Sequence, residues 1–85
     1  MAYKITWSPK SLEDLKGLER DVRLRIIRKV ENLKLAPYHF IERLTDCAAW
    51  KLKVGDYRVI LDIGENKKEV IVLKVSHRKN IYKRF

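Results

Sequence analysis

"WKLKVGDYRVIL", residues Trp50 to Leu61, is a hairpin written in alternating side chains. If Gly55 and Asp56 form a two-residue turn, Val54 pairs with Tyr57, Lys53 with Arg58, and Leu52 with Val59. Successive side chains point to opposite faces of a strand. One face then carries Trp50, Leu52, Val54, Tyr57, Val59, Leu61 and Ile63, and is a core face. The other carries Lys51, Lys53, Arg58, Ile60 and Asp62. Like charges directly opposite one another destabilise a sheet, so Lys53 facing Arg58 needs solvent or an anionic partner. A phosphate-binding face accounts for the pair best, because an anion turns mutual repulsion into binding energy. The expectation is that Lys51, Lys53 and Arg58 converge on open solvent at this turn.

On either side of the hairpin the pattern changes period. "YKITW", Tyr3 to Trp7, alternates and reads as a short strand. Ser8 and Pro9 then start a helix, as capping hydroxyl and first helical residue. Leu12, Leu15 and Leu18 carry it to about Arg20. Asp21 caps a second helix with an apolar stripe of Val22, Ile26, Val30 and Leu33, ending before Pro37. Its Arg25, Arg28 and Lys29 share a polar face, and Leu24 and Leu35 lie outside the main stripe, open to a partner helix. Residues 36–49 lack periodicity and read as a loop holding one turn of helix at most. Strands follow at Trp50–Val54, Tyr57–Ile63 and Glu69–His77. In the last, Ile71, Leu73 and Val75 fit the core face, leaving Lys74, Ser76 and Arg78 opposite. The order β-α-α-β-β-β predicts an α+β fold: a mostly antiparallel four-stranded sheet with a two-helix hairpin packed on one face.

Composition bounds the function. A chain of 85 residues is one domain. Apolar residues make up 46% of it, enough for a compact core. No apolar run approaches the length of a membrane span, and the start has no apolar secretory segment. The lone Cys47 has no disulfide or metal partner in sequence and reads as a small, buried or half-buried side chain. These features point to the cytoplasm, with no membrane, metal or cofactor. Twenty Lys and Arg against eleven Asp and Glu give a net charge of +9, which draws polyanions.

The chain ends "SHRKNIYKRF". Arg78 leaves the last strand and Tyr82 follows four residues later, a pairing that suits a nucleotide: guanidinium to phosphate, ring to base or sugar. Together, "WKLKVGDYRVIL", a further strand and "HRKNIY" resemble the RelE/ParE toxin superfamily, most closely its RelE-type mRNA interferases. The resemblance runs from "MAYKITWSPKSLEDL" to the C-terminal tyrosine. It implies a type II toxin: a ribosome-dependent endoribonuclease cutting mRNA in the decoding site and silenced by a cognate RelB-like antitoxin. Its partners would be the ribosome, mRNA and rRNA. Residue by residue, it implies catalytic roles for Lys51, Lys53, Arg58, Arg78 and Tyr82. The interval from Arg78 to Tyr82 is shorter than in the best-known bacterial members, His77 precedes Arg78 where others have lysine, and Thr45 follows Leu44 where many have glycine.

Cleavage by a 2′-hydroxyl needs one proton removed, another supplied, and a dianionic phosphorane stabilised. With no carboxylate pair or central histidine on the face, Lys, Arg and Tyr share these tasks. Neighbouring cations disfavour the charged form of a lysine, which makes Lys53, beside Lys51 and Arg58, the general-base candidate. Lys51 and Arg58 hold the phosphate, Arg78 assists the leaving group, and Tyr82 positions the 2′-hydroxyl or stacks on a base. His77 falls on the core side of a strand end, as a hydrogen-bonded structural residue or a catalytic one. His39 reads as packing or surface, Trp7 and Trp50 as core aromatics. Two other functions remain open: a ParE-like toxin acting on gyrase, and an RNA-binding module without catalysis.

Overall fold

The computed structural model describes residues 2–44 and 48–81, with the side chains of Asn80 and Ile81 set aside. The elements are β1 (Lys4–Trp7), α1 (Pro9–Lys16), α2 (Arg20–Glu31), β2 (Ile41–Arg43), β3 (Trp50–Val54), β4 (Tyr57–Gly64), β5 (Glu69–His77) and α3 (Arg78–Ile81). Short 3-10 turns at Asn32–Lys34 and Pro37–His39 link α2 to β2. The described strands form one sheet in the order β1-β5-β4-β3-β2, with β1 parallel to β5 and the other neighbours antiparallel. This is the expected α+β fold with one strand more. β2 offers three residues and one buried side chain, Ile41, too few for alternation to be read in the sequence.

Local chemistry sets the boundaries. Ser8 accepts a hydrogen bond from the Ser11 amide at 3.1 Å, capping α1, and Pro9 sits at its first position. The helix stops at Lys16 with Gly17 as its cap, short of the expected Arg20. α2 opens at Arg20 after Glu19, so Asp21 lies in its first turn and meets the positive end of the helix dipole rather than capping it. Past Glu31 the expected helix tightens to a 3-10 turn.

The core lies between the helices and one face of the sheet. Ile26, Val30 and Leu33 of the α2 stripe are fully buried against Val59, Leu61, Val70 and Val72. Each such side chain contributes about 1.5–3 kcal/mol on burial. Leu15 joins them, but Leu12 is 47% exposed and Ser11 takes the inward position, its hydroxyl donating to the Ser8 carbonyl at 2.8 Å. Trp7 and Trp50 pack on the core's margin as expected.

One expectation about the last strand fails. Val70, Val72 and Val75 face the helices, not Ile71 and Leu73. A bulge lies where Ile60 pairs with Lys74 and Leu61 with Val72, leaving Leu73 as the extra residue. A bulge resets the two-residue period at that point. The edge there is covered by α1: Ser8 donates to the Leu73 carbonyl at 3.1 Å, and Asp14 accepts from the Val75 amide at 2.9 Å. On the outer face Leu73, Leu44 and Ala49 enclose Ile60, which is fully buried.

Candidate nucleic-acid interface

The hairpin register is the predicted one. Lys53 lies across from Arg58 and Val54 from Tyr57, with Gly55 in the left-handed conformation (φ 58°) that a primed turn demands. Lys51 and Lys53 of β3, Arg58 of β4, and Lys74 and Ser76 of β5 share the face away from the helices. Arg78 opens α3, and its amide donates to the Asp56 carbonyl at 2.8 Å, which fixes the start of α3 against the hairpin turn. Lys51, Lys53, Arg58 and Arg78 therefore belong to one region of the molecule. Tyr82 lies outside the described residues, as do Thr45 and Cys47.

Arg58 is not the open cation that alternation alone implies. It is 8% exposed, and its Nη1 donates to the carbonyls of Gly55 at 3.0 Å and Tyr57 at 2.9 Å. Its Nε is buried with no partner among the described residues. The guanidinium is folded back on the turn, where its charge is held in place and only partly neutralised by carbonyl dipoles. A buried donor left unsatisfied costs about 1–3 kcal/mol, more for a charged group. Such a group favours an anion. Arg25 of α2 reaches the same turn from the helix side: a Cβ at Gly55 would stand 3.4 Å from its Nη1.

Strand β2 adds a carboxylate. Glu42 pairs in register with Lys51 and lies 3.3 Å from the Lys53 ammonium. The face is thus not all cation beside Lys53, contrary to the sequence expectation. The only sequence signal for Glu42 was its place in "IER", which alternation could not assign to a strand. Lys51 is half-buried between Glu42 and Ile60, its neighbours across the two flanking strands.

His77 takes the structural position. Its Nδ1 accepts from the Lys79 amide at 3.2 Å, within the first turn of α3, and its ring stands edge-on to Tyr57 with centroids 5.3 Å apart. His39 is exposed, edge-on to Phe40. At the far end of the sheet Tyr3, Tyr38 and Lys68 all converge on Glu65. The hydrogen bond to Glu65 pushes the Tyr38 hydroxyl up to about 12, and the bonds from Tyr38 and Tyr3 hold the Glu65 carboxyl below its ordinary value. This cluster anchors Tyr38, which packs edge-on to Trp50 at 5.2 Å while Arg43 lies over the Trp50 ring.

Among the described residues no three His, Cys, Asp or Glu side chains are grouped to hold a metal, and no helix is long and apolar enough to cross a membrane.

A two-helix layer over a mostly antiparallel sheet, with cations gathered at a hairpin turn and a short C-terminal helix beside it, defines the RelE/ParE toxin class. Its solved relatives share that fold. The toxin of the RelBE2 toxin–antitoxin complex from Mycobacterium tuberculosis superposes with a TM-score of 0.86 at 20% identity, over 92% of this chain and 100% of that one. The archaeal RelE–RelB complex from Pyrococcus horikoshii gives 0.80 at 22% identity, covering 94% and 99%. The isolated RelE toxin of E. coli gives 0.75 at 22%, covering 96% and 93%. No curated protein matches the sequence. Residues 5–82 match the model of the ParE toxin of type II toxin–antitoxin systems, and the chain belongs to that family.

Proposed function

We propose that this toxin is a ribosome-dependent endoribonuclease that cleaves mRNA during translation by attack of a 2′-hydroxyl on its own phosphate. The observation that carries the reading is Arg58: a guanidinium 8% exposed, its Nε unpartnered among the described residues, opposite Lys53 on the face that also holds Lys51. In this reading Arg58 and Lys51 hold the scissile phosphate and its transition-state charge, which preorganised donors stabilise strongly in a partly dehydrated site. Arg78, at the turn, reaches the phosphate from α3, and Tyr82 positions the sugar or stacks on a base. Proton transfer falls to Lys53 and to its surroundings.

A site of this kind binds RNA without bending it into the in-line geometry of attack. A ribosome holding the message bent supplies that orientation, worth several powers of ten in rate. The net charge of +9 supports docking on rRNA. Solved relatives include toxin–antitoxin complexes with RelB, which supports a cognate RelB-like antitoxin as the physiological partner, with the toxin acting in the cytoplasm.

The family match favours a second reading, a ParE-like toxin acting on DNA gyrase. Primer extension on translated message, run beside a gyrase supercoiling assay, separates the two. Breaks inside codons with supercoiling intact support the nuclease. Intact message with supercoiling inhibited replaces it.

A further inference from the structure

Metal-independent cleavage of RNA needs a proton acceptor that is unprotonated near neutral pH. Lysine and arginine are not; a carboxylate is. Among the described residues of the cationic face, two carboxylates occur. Asp62 accepts from the amide of its own neighbour, Ile63, at 2.8 Å, further along β4 from the turn. Glu42 stands instead beside the lysines, across from Lys51 and 3.3 Å from Lys53. Its side chain is 59% exposed, so substrate can reach it.

We propose, resting on the nuclease reading, that Glu42 is the proton acceptor for the attacking 2′-hydroxyl and that Lys53 is the donor to the leaving oxygen. The 2′-oxygen gives its proton to the Glu42 carboxylate and forms a bond to phosphorus. The bond from phosphorus to the 5′-oxygen breaks, and that oxygen takes a proton from the Lys53 ammonium. The products are a 2′,3′-cyclic phosphate and a 5′-hydroxyl. Glu42 is left protonated and Lys53 neutral, 3.3 Å apart, so one proton passing from acid to amine restores the ion pair. No metal ion or other reactant enters the balance.

The placement also removes a difficulty in using Lys53 as base, since the opposite charge of Glu42 favours the ammonium rather than the amine. The ion pair gives each partner the form its task requires before substrate arrives. The charged groups facing Glu42 are Lys51 and Lys53 of β3, with Arg58 beyond them on β4. The 3-10 turn packed against β2 contributes His39. All but the histidine are cations throughout the neutral range, so loss of activity in acid belongs to Glu42 or His39.

The test uses ribosomes programmed with a defined message, single-turnover cleavage, and binding to the same ribosomes carrying a message with 2′-deoxy substitution at the break. Glu42→Gln is expected to lower the cleavage rate by about 10²–10⁴-fold, to bind the uncleavable complex at least as tightly as wild type, and to lose the decline in rate at acid pH. Glu42→Asp is expected to recover part of the rate, and His39→Ala to keep the acid decline. Glu42→Gln cleaving within about threefold of wild type across the pH range overturns the assignment alone, as does tighter binding with faster cleavage, the signature of a carboxylate that merely screens the lysines. A wild-type protein that leaves the message whole overturns the nuclease reading itself.

Discussion

Replacing Arg58 with methionine separates catalysis from folding. The wild-type guanidinium is 8% exposed and makes two hydrogen bonds, to the carbonyls of Gly55 and Tyr57. Hydrogen bonds to a charged group contribute about 1.5–3 kcal/mol each. Set against them are the unpartnered Nε, which costs about 1–3 kcal/mol, and the like charge of Lys53 directly across the ladder, about 0.2–1 kcal/mol. Methionine keeps the unbranched stem that fills the space under the turn, and the exposed Gly55 lets water reach its carbonyl. Buried charges exchanged for apolar groups of similar volume are often neutral or better. The net change in stability is therefore expected to lie within about 1–2 kcal/mol of wild type, while loss of one transition-state donor lowers cleavage by about 10²–10³-fold. Urea unfolding and single-turnover cleavage on programmed ribosomes measure the two quantities. If Arg58→Met unfolds the domain, or cleaves at the wild-type rate, the reasoning fails.

Other expectations follow from the same geometry. Gly55→Ala places a Cβ in a left-handed residue and against Arg25, and is expected to cost about 1–2 kcal/mol in urea unfolding. Ile26→Ala, at a fully buried α2 position, is expected to cost about 2–5 kcal/mol by the same assay. Lys53→Gln should weaken RNA binding and reduce its logarithmic salt slope by about 1, read from a fluorescence titration at several salt concentrations. The raised Tyr38 hydroxyl makes the cluster around Glu65 stabilising below the ordinary tyrosine range, with that contribution lost as pH rises toward about 12. The lowered Glu65 carboxyl has the opposite sign, its contribution lost as pH falls below the ordinary carboxylate range. Tyr38→Phe is expected to remove the highest tyrosinate transition from an alkaline absorbance titration.

The hairpin was legible because a two-residue turn fixes register, and register fixes faces: Leu52, Val54, Val59 and Leu61 are all buried where alternation places them. The α2 stripe was legible for the same reason at the helical period. Alternation failed in β5 because a bulge at Leu73 is a property of the paired strands, invisible in one of them. It failed at β2 because three residues carry no period. That second omission hid Glu42, and with it the anion beside Lys53. The burial of Arg58 was equally out of reach, since folding its guanidinium onto the Gly55 carbonyl depends on the turn's three-dimensional path. Binary pattern reports which face a residue occupies, not what covers it or what stands on the adjacent strand.

The chemistry is tested most directly by one nucleotide. The wild-type toxin is added to ribosomes programmed with a message that carries a single 2′-deoxynucleotide on the 5′ side of the mapped break, beside an all-ribose control. The account predicts that the control is cut to a 2′,3′-cyclic phosphate and that the substituted message stays whole at that position. Equal cleavage of both messages contradicts it, as does a control that is never cut.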